Sequence, residues 1–139
     1  MRQRQETLRV ATAGRGFVDV TREVRAVVAR AGVTTGLCVV FCEHTSAGLL
    51  VQENADPDVR RDLETFLSRL APDGDPAFVH DAEGPDDMPA HARTALTRTS
   101  ESIPVAAGDL ALGRWQALYL VEHRARGHAR TLRVHVLGT

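Results

Sequence analysis

Residues 37–42, Leu-Cys-Val-Val-Phe-Cys, form an apolar run that is suited to a buried strand. The β-branched and aromatic side chains of this run favour a strand over a helix. In a strand, Cys38 and Cys42 would lie ~13 Å apart, which is too far for a disulfide. We interpret both cysteines as buried apolar side chains, with a catalytic thiol as the alternative. The fold is therefore expected to bury this strand centrally.

Length and composition predict one ordinary globular domain over residues 1–139, because the chain has 43% hydrophobic and 25% charged residues. The net charge of −1 gives no electrostatic reason to expect a nucleic acid or a membrane as partner. No apolar run approaches a membrane span and residues 1–10 lack a signal-peptide core, so a cytoplasmic protein is expected. All 17 basic side chains are arginines, which excludes Schiff-base chemistry on a lysine.

Apolar periodicity and turn residues predict three helices among several short strands. The helices are predicted at residues 21–32, 56–71 and about 89–98, the second with Asp56 as cap and Pro57 in its first turn. Strands do not alternate strictly with helices, which favours an α+β fold over a doubly wound sheet. Residues 73–87 form a long loop, which is more often functional than idle in a compact domain. The strands are predicted at 7–12, 16–19, 37–42, 47–52, 103–105, 110–112, 115–122 and 131–137.

Three of the six histidines, His44, His80 and His91, border predicted elements close to acidic residues. Together with Glu53, Asp87 and Glu122 they could form a divalent-metal site or an acid–base site. Their spacing is non-local, and no short ligand motif such as H-E-x-x-H is present. The alternative is that all three are satisfied structural histidines.

The acidic residues around the second predicted helix have two explanations. Asp56 and Asp58 are explained by the preference for carboxylates at a helix N-terminus. Glu53 stands just before the helix and is the better functional candidate. Asp86 and Asp87 precede the third predicted helix, and one of them can act as its N-terminal cap.

A further candidate is the turn at Gly113, which precedes the only tryptophan, Trp115, and Gln116. A glycine can free backbone amides to meet an anion, and a β-hairpin turn is the alternative.

Four separated motifs follow one another along the chain: residues 44–47 (His-Thr-Ser-Ala), 53–57 (Glu-Asn-Ala-Asp-Pro), 86–91 (Asp-Asp-Met-Pro-Ala-His) and 113–116 (Gly-x-Trp-Gln). In this order they resemble the YjbQ-like family, UPF0047, and the resemblance extends from about residue 8 to 138. It implies an α+β fold of packed, mixed β-sheets, sandwich-like, with about three helices. It also implies a homotrimer and a secondary thiamine-phosphate synthase activity. The chain departs from the family at Arg114, usually a small hydroxyl residue, and at Arg93, commonly a lysine.

The implied reaction joins thiazole phosphate to hydroxymethylpyrimidine diphosphate and releases pyrophosphate. Charge on the leaving group would be neutralised by a divalent ion, Mg²⁺ or Zn²⁺, or by arginines. The predicted catalytic residues are His44, Glu53, Asp87 and His91, and the predicted metal ligands are His44, His80 and His91. The residues predicted to bind the ligand or its anionic groups are Thr45, Ser46, Asn54, Arg93, Trp115 and Gln116.

Two other hypotheses fit the same residues. One is a metal-dependent hydrolase of a small phosphorylated molecule, and the other is a non-catalytic protein that binds a small ligand or anion. The predicted partners are a small phosphorylated molecule and further copies of the chain, with no nucleic acid and no membrane. We predict that the three histidines converge on one ion or ligand, with Glu53 or Glu122 beside them, and that Arg93 holds a phosphate.

Overall fold

The computed structural model describes residues 1–139 and contains eight strands and three helices. No helix in it is both long enough and apolar enough to cross a membrane. The elements are β1 (Arg2–Ala11), β2 (Gly16–Asp19), α1 (Thr21–Ala31), β3 (Thr35–Cys42), β4 (Ala47–Glu53), α2 (Pro57–Leu70), α3 (Asp87–Leu96), β5 (Ser100–Ala106), β6 (Asp109–Leu110), β7 (Gln116–Glu122) and β8 (Ala129–Gly138).

The strands form a five-stranded sheet in the order β1-β8-β3-β5-β6 and a three-stranded sheet in the order β2-β7-β4. This arrangement confirms the predicted α+β fold with packed sheets. Every pairing between strands is antiparallel, so the expectation of mixed sheets is corrected in that detail. The strands predicted to be central, β3 and β7, occupy the middle of their sheets.

The hydrophobic core joins the inner face of the larger sheet, helix α1 and the inner side of β7. Helix α1 contributes Val24, Val27 and Val28, which are fully buried at helical spacing. Cys38 and Cys42 are buried as free thiols, as predicted. Burial raises the pKa of each thiol to about 11, which leaves neither as an activated nucleophile.

Several element boundaries differ from the sequence-based prediction, most of all the start of β1. Strand β1 begins at Arg2 rather than at residue 7, because its polar start pairs through backbone hydrogen bonds with β8 at the sheet edge. Helix α3 begins at Asp87, two residues before the predicted start at Pro89. Proline is tolerated in the first turn because the amide it lacks has no partner there.

His123 is fully buried at the end of β7, beneath α3. Its Nε2 lies 3.1 Å from Thr97 Oγ1, and its Nδ1 has no hydrogen-bond partner. Burial, reinforced by the charge of Arg93, lowers the pKa of His123 to about 3. The histidine is therefore neutral in the folded protein above about pH 3.

The His123→Gln variant is expected to resist acid better than the wild type. Between pH 6.5 and 3 the unfolded chain binds a proton at His123 that the folded protein does not, so stability falls as the pH falls through this window. From pH 7 to pH 4 the wild type should lose about 3 kcal/mol more of its free energy of unfolding than the variant. Urea denaturation at the two pH values measures this difference. The His128→Gln variant is the control, and parallel losses in wild type and His123→Gln would contradict the prediction.

Candidate functional site

Helix α3 and the loop before it bring together His80, Asp87 and His91, here called the HDH cluster. Asp87 and His91 lie one helical turn apart, which places both on one face of α3. His80 Nε2 lies 2.7 Å from Asp87 Oδ2, and His91 Nε2 lies 3.1 Å from the same oxygen. One ligand atom from each residue falls within 4.8 Å of the others. The three side chains can therefore share a single ion.

The carboxylate of the HDH cluster is buried, whereas its histidines face solvent. The side chain of Asp87 is 2% exposed, against 45% for His80 and 30% for His91. Arg124 Nη1 binds the other carboxylate oxygen of Asp87 at 2.9 Å. Burial opposes ionisation of Asp87, but the hydrogen bond from His80 and the charges of His91 and Arg124 outweigh it, so its pKa is lowered. The cluster thus holds a fixed, ionised carboxylate beneath two accessible imidazoles.

The hydrogen bonds of His91 indicate that a positive charge lies between His91 Nε2 and the Asp87 carboxylate. His91 Nδ1 lies 2.8 Å from the backbone carbonyl oxygen of Thr45, which can only accept, so Nδ1 carries a proton. In a neutral imidazole, Nε2 then presents a lone pair. That lone pair would face the Asp87 carboxylate oxygen at 3.1 Å, a contact between two acceptors. The geometry is favourable when His91 is protonated or when a metal ion lies between the two atoms.

The donor set of the HDH cluster fits a divalent transition metal. Two imidazole nitrogens and one carboxylate oxygen are a common zinc ligand set, and bonds of about 2.0–2.2 Å place tetrahedral ligand atoms ~3.4 Å apart. The Thr45 carbonyl and Arg124 supply the outer hydrogen bonds that orient such ligands. A set of three leaves a coordination position open. Zinc fits these donors better than magnesium, which prefers octahedral oxygen coordination.

His44 is placed apart from the HDH cluster, although the sequence-based prediction grouped it with His80 and His91. Its Nε2 accepts a hydrogen bond from the backbone amide of Thr131 at 2.7 Å, so that nitrogen is already used. Burial and the charge of Arg130 lower the pKa of His44 and keep it neutral, with its proton on Nδ1.

His44 and His91 instead line one cleft of about 540 Å³ beside the HDH cluster. Phe41, which is 46% exposed, and Ala95 contribute apolar surface to it. The remaining lining residues are Cys42, Glu43, Thr45, Thr94 and Thr99. No arginine lines this cleft, so it presents an aromatic and aliphatic surface with a few hydrogen-bonding groups.

A buried ion pair holds the turn that carries His44, Thr45 and Ser46. Arg130 Nη2 donates to both the carbonyl oxygen and the hydroxyl oxygen of Ser46, at 3.1 and 3.0 Å. The same guanidinium pairs with Glu122, which is fully buried and also accepts from Thr12 Oγ1 at 2.6 Å. The Glu122 carboxylate is therefore occupied by structural partners and supports the site from beneath.

Four other predicted site residues lie at the opposite end of β4, about 20 Å away along the strand. Glu53 Oε2 accepts from the amide of Asp56 at 3.1 Å, at the entry to α2. Asn54 Nδ2 donates to the carbonyl of Gln116 at 3.5 Å, and Gln116 Oε1 accepts from the amide of Gly113 at 2.7 Å. The fourth residue, Trp115, is 55% exposed, and the guanidinium of Arg114 stacks 4.9 Å from its ring. Within one subunit this end does not share a site with the HDH cluster.

Arg93, predicted to bind an anion, is 1% exposed inside the protein. Its Nη1 donates to Glu64 at 2.6 Å and its Nη2 to Ser68 at 3.1 Å, which ties α3 to α2. The guanidinium is therefore closed to a ligand from solvent. Position i+2 from His91 places it on the other side of α3, turned towards the protein.

Arg124 and Arg130 were not singled out by the sequence analysis. Arg130 was detectable, because it continues the alternation of the buried Leu132, Val134 and Val136 along β8. No local pattern marks Arg124, whose partners Asp86 and Asp87 lie about forty residues earlier in the chain.

Comparison with known proteins bears out the resemblance over nearly the whole chain. The family model described as UPF0047 protein YjbQ-like matches residues 6–139. The UPF0047 protein sll1880 of Synechocystis is 53% identical over 137 residues, which cover 99% of this chain and 93% of that protein. The UPF0047 protein YjbQ of Escherichia coli is 41% identical over 129 residues, which cover 92% of this chain and 93% of that protein.

Solved structures share the fold. A conserved hypothetical protein of Thermus thermophilus superposes with a TM-score of 0.85 at 39% identity, covering 95% of this chain and 99% of that one. A YbjQ-like protein of unknown function from Sulfolobus solfataricus superposes with a TM-score of 0.87 at 22% identity, covering 99% of each chain, a likeness of fold alone. With the family model and relatives above 30% identity in agreement, this chain belongs to the YjbQ-like family, UPF0047.

Proposed function

We propose that this protein is a divalent-metal-dependent enzyme that acts on a small phosphorylated molecule at the HDH cluster. The specific reaction proposed is the one that the family resemblance implies, the joining of thiazole phosphate to hydroxymethylpyrimidine diphosphate. The observation that carries the proposal is the contact between His91 Nε2 and Asp87 Oδ2, which is favourable when a metal ion lies between the two atoms or when His91 is protonated.

The lining of the cleft beside the HDH cluster suggests that the cleft and the cluster bind different parts of the substrate. Phe41 and Ala95 offer a surface for an uncharged ring, and no arginine is present to hold a phosphate there. A metal ion at the HDH cluster would supply the positive charge that the diphosphate leaving group needs. We therefore assign the heterocyclic ring to the cleft and the anionic group to the HDH cluster.

The proposed reaction balances without a strong base. The lone pair of the thiazole nitrogen forms a bond to the methylene carbon of the pyrimidine, and the bond from that carbon to the diphosphate oxygen breaks. Pyrophosphate leaves with the electron pair of the broken bond. His44, which carries its proton on Nδ1, lines the cleft and can donate a hydrogen bond to a departing oxygen.

The proposal also includes a cytoplasmic homotrimer, in which a second copy brings the far end of β4 to the site. Glu53, Asn54, Trp115 and Gln116 lie at that end, about 20 Å along the strand from the turn that carries Thr45 and Ser46 in their own subunit. These four residues could contact a ligand at the HDH cluster only if that cluster belongs to a neighbouring subunit.

The test is an assay with the two phosphorylated precursors, purified protein and either Zn²⁺ or Mg²⁺. Thiamine phosphate and pyrophosphate are expected in equal amounts, and both should need the added ion. The His91→Ala and Asp87→Asn variants should lose most turnover, whereas His135→Ala, on the outer face of the larger sheet, should keep it. Product formation that persists in both variants, or that does not exceed a heat-denatured control, would reject the synthase assignment.

A second candidate function, hydrolysis of a phosphate ester, is favoured by the exposure of the two histidines to solvent. A synthase has to keep water from its reacting carbon, whereas a hydrolase uses water as the nucleophile. Metal-dependent release of phosphate from p-nitrophenyl phosphate, lost in His91→Ala, would support this candidate. If the protein binds a small phosphorylated molecule but shows neither activity, the hypothesis of a non-catalytic binding protein is supported.

A further inference from the structure

A carboxylate occupies the inner face of β5, where apolar side chains are expected. Glu101, Ile103 and Val105 alternate along the strand, and the last two belong to the core. Glu101 pairs across the sheet with Val40, which is fully buried. Its own side chain is 19% exposed. An acid in this row has lost most of its hydration, which is costly unless a partner compensates.

The protein supplies little compensation for Glu101. No side chain and no backbone amide donates a hydrogen bond to its carboxylate, and the only ion pair is with Arg98 at 3.8 Å. Arg98 is itself 71% exposed, so its charge is screened by solvent. Burial raises the pKa of Glu101, against the smaller opposing effect of Arg98. The carboxylate thus accepts no hydrogen bond from the protein and is open to a donor that enters from solvent.

A cleft of about 230 Å³ lies next to this carboxylate, between the two sheets. Val51 from β4, Ile103 from β5 and Leu112 beyond β6 form apolar walls. The amide of Gln116 and the hydroxyl of Ser102 add polar groups at its rim. A water molecule takes ~30 Å³, so the cleft has room for roughly eight ligand atoms other than hydrogen.

We propose that this cleft binds a small organic cation, an ammonium or amidinium group on an apolar body, with Glu101 as the residue that pairs with the charge. Half of the residues that line this cleft are apolar, and apolar walls beside a few convergent polar groups are typical of a small-molecule site. A positively charged donor would supply the hydrogen bond that Glu101 lacks. The cleft shares no lining residue with the cleft beside the HDH cluster, and Gln116 is the one residue that it shares with the proposed contact between subunits.

The experiment compares benzylamine with benzyl alcohol, which has the same shape and no charge. NMR titration of the full-length protein at neutral pH is expected to shift the signals of Val51 and Leu112. Benzylamine should bind about tenfold more tightly than benzyl alcohol, because a charged hydrogen bond contributes at least that factor. The Glu101→Gln variant should bind both compounds equally, since the amide keeps the shape and removes the charge.

The control variant is Glu43→Gln, which removes a carboxylate that is paired with Arg133 at the surface. It should leave benzylamine binding unchanged. The proposal is overturned by equal affinity of the wild type for the two compounds, or by an unchanged preference for benzylamine in a folded Glu101→Gln variant. It is also overturned if neither compound shifts these signals up to ~10 mM, because a ligand of this size should bind in the millimolar range.

Discussion

Replacing Asp87 with asparagine is expected to lower the affinity of the protein for Zn²⁺ by more than about 100-fold. Loss of an outer hydrogen-bonding partner commonly costs 10–100-fold, and Asp87 is the anionic ligand itself. Its side chain is 2% exposed and lies within 3.1 Å of both imidazole Nε2 atoms, so no water can easily replace it. Isothermal titration with Zn²⁺ in the presence of a competing chelator measures the affinity.

Variants of other residues distinguish the proposed metal ligands from residues that only lie near the metal site. His80→Ala and His91→Ala should also lose Zn²⁺ binding, whereas Arg124→Met should lower it by about 10–100-fold by freeing the Asp87 carboxylate. His128→Ala removes a histidine outside the HDH cluster and should bind Zn²⁺ as the wild type does. If Zn²⁺ affinity is unchanged in folded Asp87→Asn protein, the metal site does not exist.

The Arg130→Met variant is expected to lose about 3–5 kcal/mol of the free energy of unfolding. Removing one partner of a buried ion pair leaves the other charge uncompensated. Glu122 is fully buried, and after this substitution it would keep only the donors from Thr12 and from the backbone amide of Arg124. Urea denaturation of the two proteins at neutral pH measures the loss.

Two controls show whether burial is the cause. Arg133→Met breaks the surface pair with Glu43, whose side chain is 31% exposed, and should cost less than about 1 kcal/mol. The double variant Arg130→Met, Glu122→Leu removes both buried charges and should recover part of the loss. Equal destabilisation by Arg130→Met and Arg133→Met would show that the Glu122 pair contributes no more than a surface contact.

Local patterns in the amino-acid sequence are enough to place most of the helices and strands, because each pattern depends on neighbouring residues. Alternation of apolar side chains places the strands, and the stripe of Val24, Val27 and Val28 places α1. The spacing of Asp87 and His91 is enough to put two members of the HDH cluster on one helical face. The buried state of Cys38 follows from the apolar run around it. Each of these inferences depends on residues within one or two turns of each other.

Which side chains from distant parts of the sequence come into contact depends on how the helices and strands pack in three dimensions. His80 rather than His44 joins Asp87, because the loop before α3 folds back over the helix while the Thr131 amide occupies His44. A charged side chain such as that of Arg93 is expected to lie in solvent. The packing of α3 against α2 instead buries the Arg93 guanidinium beside the carboxylate of Glu64. The length of β4 keeps Glu53 away from the histidines although their motifs are neighbours in sequence. These pairings depend on how rigid elements pack, and short-range periodicity carries no information about that packing.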